Sequence, residues 1–188
     1  SNKYTLLSHG KFLSTDGKCR SFGEGGDGYV PGEGVGAVIL KPLSKALAAK
    51  ANIYGVIQST VLNHGGKTNG YSVPNPVQQR ELIDESIKKA GINVESVNYI
   101  ETHGTGTALG DPIEISALGK SYGEAFTKDK PCKIGSVKSN IGHLESAAGM
   151  AALTKVLLQM KYKKIVPSLH SDIKNKKIDF EKYPFYVQ

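Results

Sequence analysis

The 188-residue sequence contains only two cysteines, Cys19 and Cys132, and neither belongs to a CxxC pair. A disulfide framework or a zinc-ribbon site is therefore not expected. No stretch approaches the roughly 20 apolar residues that are needed to cross a bilayer. The first residues also lack the charged-then-apolar organisation of a secretory signal. We therefore expect a cytoplasmic protein with no membrane span.

Motifs of several common enzyme classes are also missing. The sequence has no phosphate-binding P-loop motif and no metal-binding spacing such as HExxH. The glycines of residues 32–36 precede a predicted strand, whereas a dinucleotide fingerprint follows a strand and opens a helix. The net charge is +7, but aromatic residues do not alternate with the lysines as they do on single-strand nucleic-acid surfaces. We expect no nucleotide cofactor, no metal and no nucleic-acid partner.

Four β-type runs alternate with three helical patterns, an order that is typical of α/β proteins. The strands are predicted at residues 36–41, 53–62, 97–102 and 132–137. Glycine is abundant, at 22 of 188 residues, and it is clustered rather than periodic. Clustered glycine indicates tight turns and close backbone approach.

The three helices are predicted from their first residues. One begins at Asn75, an N-cap followed by proline, and ends at Gly91. Another begins at Asp111, which is expected to cap it while Glu114 completes a capping box. The third runs from about residue 144 to 161. Its apolar face is predicted to consist of Leu153, Val156, Leu157 and Met160.

Two histidines occupy matching positions. His103 follows the strand predicted at 97–102, and His143 follows the strand at 132–137. Ligands and catalysts gather just past the carboxyl ends of strands in α/β folds, so the two imidazoles are predicted to lie close together. Two neutral imidazoles can donate to one developing oxyanion or enolate oxygen. Lys138, five residues before His143, adds a positive charge near this site.

The other histidines lack this setting. His64 lies in a plausible loop beside Gly65 and Gly66, but we interpret His9, His64 and His170 all as structural. The glycine-rich residues 23–29 are interpreted as a shaped turn that supports the site.

Five motifs, in order along the whole chain, resemble the ketosynthase domains of modular polyketide synthases. They are GYVPGEGVG at 28–36, NHGGKTNGYSVPNP at 63–76, HGTGT at 103–107, GDPIE at 110–114 and KSNIGH at 138–143. The motif at 63–76 is most similar to ketosynthases that are served by a separate acyltransferase.

The resemblance implies an α/β, thiolase-like fold. A complete domain would have five layers, α-β-α-β-α, and would form a homodimer. Residues 1–50 would then end the first half of the fold, and residues 51–188 would be most of the second half.

The resemblance also implies decarboxylative Claisen condensation of acyl and malonyl thioesters. The substrates would arrive on the phosphopantetheine arm of acyl carrier protein, and no cofactor would bind directly. His103 and His143 match the two catalytic histidines of the family, and Lys138 matches the motif lysine.

The family's nucleophilic cysteine has no counterpart here, because neither Cys19 nor Cys132 matches its position. The fragment alone is therefore expected to be inactive. One alternative is a non-extending ketosynthase that acts as an acyl-transfer gatekeeper or docking module, although such domains typically lack the histidine at the position of His103. A thiolase-like protein with a purely structural role is the other alternative, and it would not need two histidines in such turns.

Overall fold

The computed structural model describes residues 2–68, 70, 73–123 and 125–188. The elements in chain order are α1 (Asn2–His9), α2 (Leu43–Ala48), α3 (Pro76–Ala90), β1 (Tyr99–Glu101), α4 (Gly110–Tyr122), β2 (Cys132–Gly135), α5 (Lys138–Ile141), α6 (Ala148–Tyr162) and β3 (Phe185–Val187). Single 3-10 turns at Val94–Ser96 and Glu145–Ala147 precede β1 and α6.

The strands form a parallel sheet in the order β1-β2-β3. Ile100 lies opposite Ile134, which lies opposite Val187. Parallel strands are covered on both faces, and their apolar side chains here join one core with α4. The buried members of this core are Phe22, Ile115, Leu118, Phe126, Cys132, Ile134, Ile178, Phe185 and Val187. The sheet therefore fixes the positions of the loops that leave β1 and β2.

Helix α3 confirms the prediction from capping residues. The Asn75 side chain accepts hydrogen bonds from the backbone N–H groups of Val77 (3.0 Å) and Gln78 (3.3 Å). Gly91 ends the helix with a left-handed φ of 63°, a conformation that glycine adopts without steric penalty.

The strands predicted at 97–102 and 132–137 are confirmed as β1 and β2, but those at 36–41 and 53–62 are wrong. Both segments lack regular secondary structure, and Ile39 and Leu62 are 99% and 95% exposed. A strand exists only with a hydrogen-bonded neighbour. Within the described part of the chain, neither segment has one. The composition of both segments favours strands, but no described segment of the chain pairs with either of them.

Helix α4 corrects the expected capping box. It begins at Gly110, and Asp111 makes no cap hydrogen bond to its own helix. The buried Asp111 carboxylate instead accepts from the backbone N–H groups of Phe22 (2.7 Å) and Gly106 (3.1 Å). Glu114 likewise bonds to a neighbouring loop. Both carboxylates thus connect α4 to other segments of the chain.

Helix α6 differs from its predicted apolar face. Met160 is 53% exposed, whereas Lys155 and Gln159 are buried. The helix therefore turns a charged residue toward the sheet. In the described ranges, no helix has both the length and the apolar character that a membrane crossing requires.

Candidate active site

The two histidines lie side by side at the carboxyl edge of the sheet. His103 follows β1 by two residues, and His143 follows α5, which begins three residues after β2. Their ring centroids are 5.3 Å apart, and the ring planes are nearly perpendicular, at 85°. The predicted proximity of the two imidazoles is therefore confirmed.

The His143 backbone is held against the segment that carries Val30. The His143 N–H donates to the Val30 carbonyl (2.7 Å), and the His143 carbonyl accepts from Gly32 N–H (3.0 Å). Gly142 makes this approach possible, because it has φ 76° and ψ −176° and a Cβ there would lie 2.6 Å from the Val30 oxygen. The Tyr29 ring packs against the imidazole, with centroids 5.1 Å apart. Backbone and side chain of His143 are both constrained.

A hydrogen bond fixes the tautomer of neutral His143. Its Nδ1 accepts from the backbone N–H of Glu145 at 2.9 Å. A nitrogen that accepts a hydrogen bond carries no proton, so the proton of the neutral ring lies on Nε2. His143 therefore presents Nε2–H as a donor. Lys3 holds the Glu145 carboxylate through an ion pair of 2.6 Å.

The His103 loop is clamped by Glu114. One carboxylate oxygen of Glu114 accepts from His103 N–H (2.7 Å), and the other accepts from Gly104 N–H (2.8 Å). The predicted shaped turn at 23–29 packs against the same loop, since a Cβ on Gly26 would lie 2.5 Å from the Gly106 carbonyl oxygen. These contacts fix the path of the backbone from His103 to Gly106.

The site keeps its imidazoles neutral. Removal of solvent from around the ring, then the positive charge of Lys138 and the neighbouring His143, lower the pKa of His103 to about 4. The same two causes, burial first and Lys138 second, lower the pKa of His143. Lys138 is itself buried, and desolvation lowers the pKa of its ammonium while the Glu114 carboxylate acts in the opposite direction.

Neither cysteine is set up as a nucleophile. Cys19 is buried, its Sγ accepts from Val30 N–H at 3.1 Å, and burial raises its pKa. Cys132 lies within β2, and burial raises its pKa to about 12. A reactive thiol instead needs a lowered pKa and partial exposure.

Outside this cluster, His64 has a local role. Its Nδ1 accepts from Gly66 N–H at 3.0 Å within its own loop, in agreement with the structural interpretation. His9 ends α1, and His170 occupies a left-handed turn with φ 61°.

Replacing Glu114 with alanine should destabilise the fold. The buried Gly104 N–H would then have no acceptor, and the free energy of unfolding should fall by about 1–3 kcal/mol. Urea denaturation of Glu114→Ala measures this loss. The control is Glu81→Ala, on the exposed face of α3, which should change stability by less than about 0.5 kcal/mol. Equal losses in the two variants would contradict the clamp.

Sequence reasoning missed three contributors to the site: Tyr29, Glu114 and a buried Lys155–Glu101 ion pair. Apart from their positions in the motifs at 28–36 and 110–114, nothing in the sequence indicated that Tyr29 and Glu114 contact the site. Lys155 did have one, because it is a lysine flanked by Leu153, Val156 and Leu157 in an otherwise apolar helix. A charged residue that is buried is normally paired.

Family models match nearly all of the chain. Residues 54–172 match "Beta-ketoacyl synthase, C-terminal domain", and residues 1–46 match "Beta-ketoacyl synthase, N-terminal domain". The chain is 59% identical over 187 residues to polyketide synthase PksL of Bacillus subtilis, and 57% identical over 188 residues to polyketide synthase ThaG of Burkholderia thailandensis. These alignments cover 100% of the chain but only 4% and 3% of the two relatives.

Two solved structures superpose on the whole chain. One is the oxazolomycin ketosynthase domain OzmH KS7 of Streptomyces albus, at 53% identity and a TM-score of 0.95. The other is the ketosynthase from module 6 of the bacillaene synthase of Bacillus subtilis, at 45% identity and a TM-score of 0.95. The chain spans 32% and 33% of these two solved chains, or about a third of each.

Proposed function

The chain belongs to the β-ketoacyl synthase family, and we propose that it supplies the two-histidine part of a ketosynthase that performs decarboxylative Claisen condensation in a polyketide synthase. Its fold is the α/β, thiolase-like fold of ketosynthase domains. The observation that carries the proposal is the pair of imidazoles, with ring centroids 5.3 Å apart, in the segments that follow two adjacent parallel strands.

The proposed reaction places negative charge on one oxygen. When a malonyl thioester loses CO2, the electron pair of the broken C–C bond moves into an enolate. The enolate carbon then attacks an acyl thioester carbonyl, a C–C bond forms, and a thiolate leaves. The enolate and the tetrahedral intermediate each need preorganised donors at the oxygen that gains charge.

His103 and His143 meet this need as donors rather than as acids. The lowered pKa of His103, about 4, keeps its ring neutral throughout the physiological range. His143 presents Nε2–H because its Nδ1 is engaged by Glu145. Neither ring has to lose or gain a proton before it donates.

Lys138 contributes positive charge without occupying the oxygen site itself. Its charge lowers the pKa of both histidines, which favours their neutral forms, and it also favours an anion between them. The proposed roles are therefore two hydrogen-bond donors, His103 and His143, and one electrostatic residue, Lys138.

The thiol that receives the acyl group lies outside this chain in our proposal. Cys19 and Cys132 are both buried with raised pKa values, so neither is suited to form the acyl-enzyme. Residues 1–50 would close the first half of the domain and residues 51–188 would form most of the second, a division supported by family matches that end at 46 and begin at 54.

The partners proposed for the complete domain are acyl carrier proteins, which present acyl and malonyl groups on phosphopantetheine arms. We further propose a homodimer and, from the motif at 63–76, an assembly line that is served by a separate acyltransferase.

The experiment uses a complete ketosynthase domain that contains this chain. Incubation with an acyl donor and a malonyl carrier protein should release CO2 and form a β-ketoacyl carrier protein, as detected by mass spectrometry. The chain by itself should give no product, because both of its thiols are buried and burial raises their pKa values. Acyl transfer without CO2 release in the complete domain would favour the non-extending alternative, and product from the chain alone would overturn the requirement for an outside thiol.

A further inference from the structure

A buried ion pair lies behind the candidate active site. Lys155 Nζ of α6 is 2.8 Å from a carboxylate oxygen of Glu101, and their side chains are only 7% and 5% exposed. The Tyr99 hydroxyl donates to that same oxygen and accepts from Lys155 Nζ at 2.8 Å. Burial of two charges is expensive unless further hydrogen bonds satisfy them. A buried ion pair does not by itself make a fold more stable. The presence of this pair therefore calls for an explanation other than stability.

The carboxylate joins the two strand ends that carry the site. The second oxygen of Glu101 accepts from the backbone N–H of Val137 at 2.6 Å. Glu101 is the last residue of β1, two positions before His103, and Val137 immediately precedes Lys138. One side chain therefore fixes the loop after β2 relative to the loop after β1, and Lys155 fixes that side chain to α6.

The space around the pair is closely filled. A Cβ on Gly135 would lie 2.8 Å from Ser168 Oγ, 2.9 Å from the Tyr99 hydroxyl and 3.4 Å from Lys155 Nζ. Ser168 Oγ accepts from Ser136 N–H at 3.1 Å. The carboxyl end of β2 is thus packed closely against both the ion pair and Ser168.

The charge of Glu101 also reaches Lys138. Desolvation lowers the pKa of Lys138, and Glu101 is one of the negative groups that oppose this shift. The groups that interact electrostatically with Lys138 are Glu114 and Asp111 of α4, Glu101 of β1, Cys19, His103 and His143.

We propose that the Lys155–Glu101 pair is a positioning element of the active site: its carboxylate fixes the backbone that carries Lys138 and His143, and it places a negative charge at the backbone next to Lys138. This inference rests on the proposed function, since the role of Lys138 belongs to that function. Glu101 and Lys155 touch no reacting atom and act only through their neighbours.

Two variants of the complete domain separate geometry from charge. Glu101→Gln keeps an oxygen that accepts from Val137 N–H but removes the negative charge. The pKa of Lys138 then falls further, and activity that needs its ammonium is lost at lower pH. In the pH profile of kcat for CO2 release, the alkaline limb should shift to lower pH by about one pH unit. The KM for the malonyl carrier protein should be unchanged.

Glu101→Asp keeps the charge but withdraws the oxygen from Val137. Its alkaline limb should stay in place, while kcat falls by up to about 100-fold because Lys138 and His143 are displaced. Glu181→Gln, which breaks the exposed Lys128–Glu181 pair, is the control and should change neither quantity.

The outcomes distinguish this inference from the proposed function. A wild-type domain that releases no CO2 contradicts the function itself. If the wild type is active, then wild-type kcat in Glu101→Asp overturns the positioning role, and an unmoved alkaline limb in Glu101→Gln overturns the electrostatic role. If Glu101→Gln does not fold, the positioning role is still decided by Glu101→Asp.

Discussion

His103→Ala in a complete ketosynthase domain should leave acyl loading nearly intact while condensation falls by about 10²–10³-fold, the usual effect of removing one oxyanion donor. Loading needs a thiolate and a thioester pocket, whereas decarboxylation places negative charge on an oxygen between the two imidazoles. Mass spectrometry of the acyl-enzyme measures loading, and the β-ketoacyl product measures condensation.

His9→Ala is the matched control for that substitution. His9 lies at the exposed end of α1, and its loss should affect neither step. If His103→Ala lowers loading and condensation by the same factor, then His103 serves the nucleophile or the fold rather than the developing oxyanion.

Gly142→Ala should be the most damaging of the glycine substitutions near the site. Gly142 occupies a backbone region that is essentially restricted to glycine, with φ 76° and ψ −176°, and forcing another residue into it costs about 1–3 kcal/mol. The new methyl group would also lie 2.6 Å from the Val30 oxygen, which accepts the His143 N–H. We expect a loss of about 3 kcal/mol or more in stability and a displaced His143.

Gly149→Ala provides the comparison within the neighbouring helix. A Cβ at Gly149 would meet nothing within 4 Å, and alanine is favoured over glycine in helices by about 1 kcal/mol. This variant should be neutral or slightly more stable in thermal unfolding. Similar melting temperatures for Gly142→Ala and Gly149→Ala would contradict the close approach of residues 30 and 142.

The part of the fold that follows from local chemistry was predictable. Asn75 and Gly91 mark the ends of α3 because capping and left-handed geometry depend on nearby backbone alone. The proximity of His103 and His143 also followed, since adjacent parallel strands end at the same edge of a sheet. Only the adjacency of β1 and β2 had to be assumed.

Non-local partners account for what the sequence left undetermined. Residues 36–41 and 53–62 have strand composition, but pairing depends on neighbours that local sequence does not specify. Asp111 and Glu114 fit a capping pattern, yet their carboxylates bond to loops brought near by the tertiary fold. The Lys155–Glu101 pair joins residues 54 positions apart along the sequence, the difference between 155 and 101.

A double-mutant cycle on the rate of CO2 release from malonyl carrier protein tests directly whether the two imidazoles donate to one oxygen. The variants are His103→Ala, His143→Ala and the double substitution in a complete domain. If both imidazoles donate to one oxygen, each single loss should be about 10²–10³-fold, and the double loss should be clearly smaller than their product. A double loss equal to the product of the single losses would show that the two histidines act independently and do not share one oxygen.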